Sequence, residues 1–389
     1  MSAMFNLVAL MRHGNGNDLD ALIQEVLLPE GFLAIDPHAT IVKLIDRSFE
    51  DEARYKGETI SVPRPIVMKP AEEHPTDGTP TTSQAINTSK SSLILNKQPF
   101  VQWSMTEREA LGSLSKNIIP GAVKAGFRAM GSRMTSDVFS MYREVYSVCG
   151  DPTSTNSRTK DDLGVARTAF LEKNILGPKN MVLNPVTEGS LAMEFSKINE
   201  SGDTNLVREG ALGRKLGFDM FVDAAAPMHI AGTASLNNGI TLATPGFAGS
   251  DRLNLDGVGA STFKHGDIVS IAGYDQTHVV TADATGAVVT IAPALLDAIP
   301  SGAAVTVMKS HRVDLAFQPE AFSIAFRPLE SPASTEGVKI YQMTDPVTGF
   351  SLRLSTHYDM YTHNTTWKLD TLYGIKCFNP ELALRFGGH

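Results

Sequence analysis

Cysteine is nearly absent. Cys149 and Cys377 are the only two in 389 residues, and neither sits in a Cys-x-x-Cys pair. That excludes a disulfide framework and a thiolate zinc cluster. A reducing compartment is the simplest setting. Long apolar runs are missing too. None reaches the roughly 18 residues of a membrane-spanning helix, so no membrane partner is expected. Residues 5–11 are apolar but too few for a signal-peptide core, and they lack its basic start and small-residue cleavage site. Production in a cytoplasm, with release by lysis if at all, is the expectation. Positive charge is in deficit: 34 Lys and Arg stand against 42 Asp and Glu, a net charge of −8. Proteins that grip nucleic acid neutralise phosphates with clustered cations, and this composition argues against such a surface. It does not exclude enclosing DNA without gripping it.

Catalytic signatures are equally scarce. There is no Gly-x-Ser-x-Gly elbow. His357 and His363 do not have a zinc-ligand spacing. Residues 246–259 are rich in Gly and Asp but match neither a P-loop nor a dinucleotide fingerprint. Asp251, Asn254 and Asp256 offer calcium-type oxygens, yet the Gly and Glu of an EF-hand are out of register. One run is enzyme-like. Leu10-Met11-Arg12-His13-Gly14 resembles the opening of the histidine phosphatases, where a neutral His attacks phosphorus and cations clamp its oxygens. The second Arg expected soon afterwards is missing from residues 15–19. A phosphatase using Arg12 and His13 is therefore carried only as an alternative. No catalytic, cofactor-binding or metal-binding residue is otherwise assigned, and no cofactor is expected.

What is present is a folded chain. Hydrophobic residues make up 42% and charged residues 20%, enough for about two or three domains with real cores. The longest helix-like stretch is residues 104–149. Thr106 and Glu109 have capping-box spacing, and Pro120 suits the first turn of a helix. Apolar residues then recur at Val123, Phe127, Met130, Met134, Val138, Met141 and Val145, in steps of three or four along one helical face. Residues 120–148 would form a spine about 43 Å long. Gly126 and Gly131 each cost about 1 kcal/mol in such a helix, which points to close backbone contacts there.

Before the spine, residues 55–103 have strand-like ends at 59–62, 92–95 and 100–103. Between them lies a polar stretch rich in Pro and Thr that has no core of its own. A long two-stranded arm fits, and such an arm needs a partner to lie on. Residues 18–27 read as a short helix and 40–45 as a strand. After the spine come helices at 161–176 and 187–198 and a buried strand at 180–184 ending at Pro185. A further strand falls at 216–222. Residues 228–311 have few aromatics and four short alternating runs, at 267–272, 278–282, 288–292 and 304–308. Regularly spaced runs of this kind predict a small β-barrel or sandwich, inserted into the main fold. A glycan-binding or decoration protein built on that insert is a further alternative. Residues 313–328 resume the main fold. Residues 339–342 and 351–355 pair across a turn, with Leu352 and Leu354 on one face. Trp367, Leu369 and Leu372 belong to another strand, and 379–386 close the chain.

The order of these parts resembles the major capsid (coat) proteins of tailed bacteriophages, the HK-ninety-seven-type or Johnson fold. The branch it looks most like is the podovirus coat proteins with an inserted β-domain. The stretches that carry the resemblance are Met181-Val182-Leu183-Asn184-Pro185, Gly213-Arg214-Lys215-Leu216-Gly217-Phe218-Asp219 and Phe263-Lys264-His265-Gly266-Asp267-Ile268-Val269-Ser270-Ile271-Ala272-Gly273. Leu315-Ala316-Phe317-Gln318-Pro319-Glu320-Ala321-Phe322, Asp370-Thr371-Leu372-Tyr373-Gly374 and Asn379-Pro380-Glu381-Leu382 complete them.

The resemblance implies an α+β fold divided as follows. Residues 1–54 form an N-terminal arm and first peripheral strand, 55–103 the extended arm (E-loop), and 104–150 the spine helix of the peripheral domain. Residues 151–227 form the axial domain, 228–311 the inserted barrel, and 312–389 the returning strands. It implies self-assembly into hexamers and pentamers of an icosahedral shell around DNA, with scaffolding and portal proteins as partners. The short N-terminal segment implies a separate scaffolding protein rather than a fused one. Assembly contacts are expected from the arm tip at Glu72, Glu73, His74, Asp77 and Lys90.

Overall fold

The structure, a computed structural model, describes residues 31, 35, 39–48, 59–63, 90–106, 108, 115–149, 159–196, 212–329, 338–345 and 349–388. Its class is α+β, as the sequence predicts. The spine helix is Ser115–Phe139, 25 residues or about 37 Å of rise. It begins before Pro120, which lies inside it. It also ends sooner than its apolar stripe. Residues Ser140–Glu144 tighten into a 3-10 helix, Val145 is extended, and Val148–Cys149 is a strand. The Ser140 hydroxyl donates to the Asp137 carbonyl at 2.5 Å and so occupies an acceptor of the last α-helical turn. Residues 104–106, expected in the helix, instead finish the strand Phe100–Thr106. Glu109 and the proposed capping box lie outside the described residues.

The stripe itself is buried. Val123, Phe127, Met130, Met134, Val138, Met141 and Val145 are all 0–5% exposed and share one hydrophobic cluster. That cluster also holds Leu352, Leu354, Trp367 and Leu369. These come from an antiparallel four-stranded sheet ordered Val338–Thr344, Ser351–Asp359, Asn364–Asp370, Phe100–Thr106. The spine therefore packs on a sheet whose outer strand, Phe100–Thr106, follows the strand Lys90–Ile94 after a short connection.

Residues 40–45, expected as a strand, form the short helix Thr40–Leu44. Ile41, Val42 and Ile45 are all buried. A strand would send Ile41 and Val42 to opposite faces, whereas one helical turn puts all three against the spine. Tertiary packing here overrides the β-branched preference.

A seven-stranded mixed sheet forms the second layer. Its main order is Val148–Cys149, Ala383–Gly388, His311–Phe317, Lys179–Leu183, Phe218–Val222, Arg214–Lys215, and Met228–His229 also pairs with His311–Phe317. Lys179–Leu183 is buried along its whole length, which fits a strand covered on both faces. Two helices cover this sheet, Lys160–Glu172 and Pro185–Ser196. The first has a complete capping box between Thr159 and Asp162. Between Arg214–Lys215 and Phe218–Val222 the chain turns on Leu216 (φ 49°) and Gly217 (φ 90°). Two positive φ values in a two-residue loop match the twist of the flanking strands. Residues 379–386, read only as a closing segment, supply the strand Ala383–Gly388 inside this sheet.

The third unit lies within residues 228–311. Six strands run in the order Val305–Val307, Ile268–Ile271, Thr277–Val280, Val288–Ala292, Arg252–Asp256, Thr241–Leu242. The two outer strands meet: Thr241 bridges Ala304, Leu242 N–H donates to the Ala303 carbonyl at 2.9 Å, and Val305 N–H to the Ile240 carbonyl at 2.9 Å. The sheet is thus a closed barrel, filled by Leu242, Leu253, Leu255, Val269, Val289, Ile291 and their neighbours. Closure removes the edges that an open sheet would leave unpaired.

Candidate functional site

Two places join the parts: the hairpin of Thr59–Pro63 and Lys90–Ile94, at the root of the expected arm, and the neck of the barrel. At the arm root, Thr59–Pro63 pairs antiparallel with Lys90–Ile94. Lys90 lies opposite Pro63, while Glu72, Glu73, His74 and Asp77 lie outside the described residues. Ile60, Leu93 and Leu95 pack on Ala325 and Phe378 in a small separate cluster. Ala325 belongs to the strand pair Phe322–Arg327 and Leu372–Cys377. On that pair, the Lys376 ammonium donates to the Ser92 carbonyl at 2.7 Å. The strand leaving the arm crosses so close to Gly374 that a Cβ there would run into the Ile94 carbonyl.

Asp137 of the spine ties these elements together. Its carboxylate accepts from the Tyr373 hydroxyl at 2.7 Å, and Lys97 Nζ and Arg133 Nε stand 3.1 and 3.3 Å away. Lys97 sits just beyond the arm and exchanges backbone hydrogen bonds with Tyr373. Burial and the neighbouring carboxylate push the Tyr373 hydroxyl well above its ordinary pKa, so it remains a donor. Above this point Trp103 and Trp367 stack with ring centroids 6.4 Å apart. A Cβ on Gly126 would touch the Trp103 ring at 3.2 Å. The glycine makes room for a side chain, not for the neighbouring backbone expected from the sequence. Gly131 is buried as well.

At the neck, Met228–His229 and His311–Phe317 run side by side, with His229 opposite His311. His229 is buried between two partners: its Nδ1 is 2.9 Å from the Tyr142 hydroxyl and its Nε2 is 2.8 Å from Asp267 Oδ1. Asp267 also accepts from the Gly232 and Lys264 backbone amides at 3.1 and 2.8 Å. Arg385, fully buried in the last strand, donates from Nη1 to the Gly266 carbonyl at 2.7 Å, with its guanidinium carbon 4.9 Å from the Tyr142 ring centre. Burial pushes the Arg385 pKa down to about 9, against the pull of Tyr142 and Asp267. Gly266 has φ 100°, and Arg143 fills the space a Cβ would need. Tyr–His–Asp order evokes a proton relay, but Tyr142, His229 and Asp267 are each less than 5% exposed. The geometry joins two folded units rather than presenting a nucleophile.

The sequence reading did not single out Tyr142, His229 or Arg385. A lone Arg inside the apolar run Leu382–Phe386 was the one available signal. Arg12 and His13 of the phosphatase alternative lie outside the described residues. Asp251, Asn254 and Asp256 are all exposed: Asn254 and Asp256 lie on the outer face of the strand Arg252–Asp256, and Asp251 stands just before it. Among the described residues, no group of three His, Cys, Asp or Glu is placed to hold a metal ion. Among them, too, no helix is long and apolar enough to cross a membrane. Cys149 and Cys377 are buried thiols not joined in a disulfide, and burial raises the Cys377 thiol pKa far above its ordinary value.

No family model and no curated protein matches the chain. Solved structures do. A structure from Mycobacterium phage Che8 superposes with a TM-score of 0.52 at 13% identity, covering 88% of this chain and 89% of that one. The chain shares the fold of that phage protein over nearly its whole length. The capsid of cyanophage P-SCSP1u aligns at TM-score 0.47 and 11% identity, over 86% of this chain and 84% of its own. The mature capsid of bacteriophage PhiM1 aligns at 0.47 and 10%, over 86% and 83%. These two scores are too low to argue from.

Proposed function

We propose that this chain is the major capsid protein of a tailed bacteriophage, whose copies close into an icosahedral shell of hexamers and pentamers around double-stranded DNA. The observation that carries the reading is the fold shared with the Che8 phage protein across both chains. The division proposed is that given from sequence, with 55–103 as arm, 151–227 as axial domain and 228–311 as an inserted domain of the podovirus type. Scaffolding and portal proteins are the proposed further partners. Assembly in a host cytoplasm and residence in the virion follow from the same reading.

Physical features support it. Multivalent closure turns modest pair contacts into a stable whole, so each subunit needs several separate contact surfaces. The helices over the seven-stranded sheet carry exposed Val165, Val186 and Met193, and Leu176 lies just beyond the first. The hairpin between Ser351–Asp359 and Asn364–Asp370 presents Met360 and Tyr361, the latter 95% exposed. Apolar groups set out in this way suit burial against neighbouring copies. The net charge of −8 limits adhesion to packaged DNA.

Deleting residues 68–91, which removes Glu72, Glu73, His74 and Asp77 of the expected arm tip together with Lys90 at its root, is expected to leave a folded subunit that builds no shells. Negative-stain microscopy reads the outcome. Normal particles from the deleted chain would sink the arm's role in assembly.

A further inference from the structure

The barrel and the body have separate hydrophobic clusters with no residue in common. What passes between them is polar and buried. Asp267 is fully buried at the barrel's edge and collects His229 Nε2, Gly232 N–H and Lys264 N–H. His229 lies in the neck and is held from the body side by Tyr142. The adjoining Gly266 carbonyl receives Arg385 from the body's last strand. Arg143 packs against Gly266, and Thr277 Oγ1 reaches the Tyr146 carbonyl at 2.8 Å. Arg385 has no carboxylate partner within ion-pair distance among the described residues. Asp267 is the acidic group that opposes its charge.

We infer that Asp267 is a latch: its carboxylate fixes the barrel on the body, and losing its charge frees the barrel as an intact unit. Three donors converge on this one side chain: two buried ones, His229 and Gly232, from the chain entering the barrel, and the Lys264 amide from the barrel's own turn. Replacing the carboxylate leaves donors unsatisfied and Arg385 uncompensated, which is the costly way to break a buried polar group. Neither hydrophobic cluster loses an apolar contact, so both stay folded. The latch concerns the single chain and holds whether or not the chain builds shells.

The test is hydrogen exchange by mass spectrometry on the full chain with Asp267→Asn. Amides at residues 228–232, 264–267 and 383–386 are expected to exchange about tenfold faster. The barrel strands Thr277–Val280 and Val288–Ala292 and the spine helix are expected to be unchanged. Equal acceleration everywhere, or none at the neck, overturns the inference. Should Asp267→Asn fail to fold, Tyr142→Phe decides. It removes one hydroxyl from His229 and keeps the ring beside Arg385. About threefold faster exchange confined to the same neck segments supports the latch, and an unchanged neck overturns it.

Discussion

In the barrel, strands that touch are mostly close in sequence. Ile268–Ile271 pairs with Thr277–Val280, which pairs with Val288–Ala292. In the seven-stranded sheet, His311–Phe317 pairs with Lys179–Leu183 on one side and Ala383–Gly388 on the other. The barrel forms from one contiguous stretch, with short loops to close. The body sheet must bring together segments from three distant regions. Loop-closure entropy is paid before distant strands reward it, so the barrel is expected to fold first and the body to follow.

Core truncation breaks this comparison most sharply. Phe263 fills the barrel and Phe127 the spine cluster, both fully buried. Phe263→Ala and Phe127→Ala are each expected to cost about 3–5 kcal/mol. If the two units are energetically separate, each loss appears as faster hydrogen exchange in its own unit alone. A loss spread over both units from either variant would show one cooperative body instead.

Acid sharpens the comparison next. His278 is buried in the barrel with Nδ1 2.8 Å from the Pro293 carbonyl. Burial holds its pKa below the ordinary 6.5, and the carbonyl only partly opposes this. His265 is lowered too, by burial and then by Arg143. The folded barrel thus favours neutral rings. That stabilisation is complete above the ordinary His range and is lost as pH falls below about 6.5. Barrel exchange, corrected for the intrinsic rate, is expected to rise between pH 6.5 and 5, and His278→Gln should remove much of that dependence. The smallest effect belongs to the body. Thr159→Ala removes the cap on Lys160–Glu172 and is expected to cost about 1 kcal/mol in thermal unfolding, without touching the barrel.

The same contrast explains what was legible. The four alternating barrel runs at 267–272, 278–282, 288–292 and 304–308 each overlap an observed strand, because alternation is a local signal and its partners are near. The spine stripe from Val123 to Val145 was legible for the same reason, although its helix stops at Phe139. Residues 40–45 misled because β-branched side chains say strand while the packing surface of the spine asks for a single turn. Ala383–Gly388 was missed as a strand because Arg385 interrupts its apolar pattern. The carbonyl that accepts Arg385 lies 119 residues away, and nothing in the local sequence announces it. The neck was illegible for that reason: Tyr142, His229, Asp267 and Arg385 become one group only after the sheet forms. Of the expected arm-tip residues, only Lys90 falls among those described, and it belongs to the arm's root.

The pairing of His229 with His311 has one more consequence. The chain goes out to the barrel and returns through adjacent strands, like a bead carried on a single narrow stem. Recombination at that stem would add, lose or exchange the bead with a tight turn to rejoin the chain and new partners for Tyr142 and Arg385. The architecture therefore separates what inheritance must keep in the body from what it is free to vary.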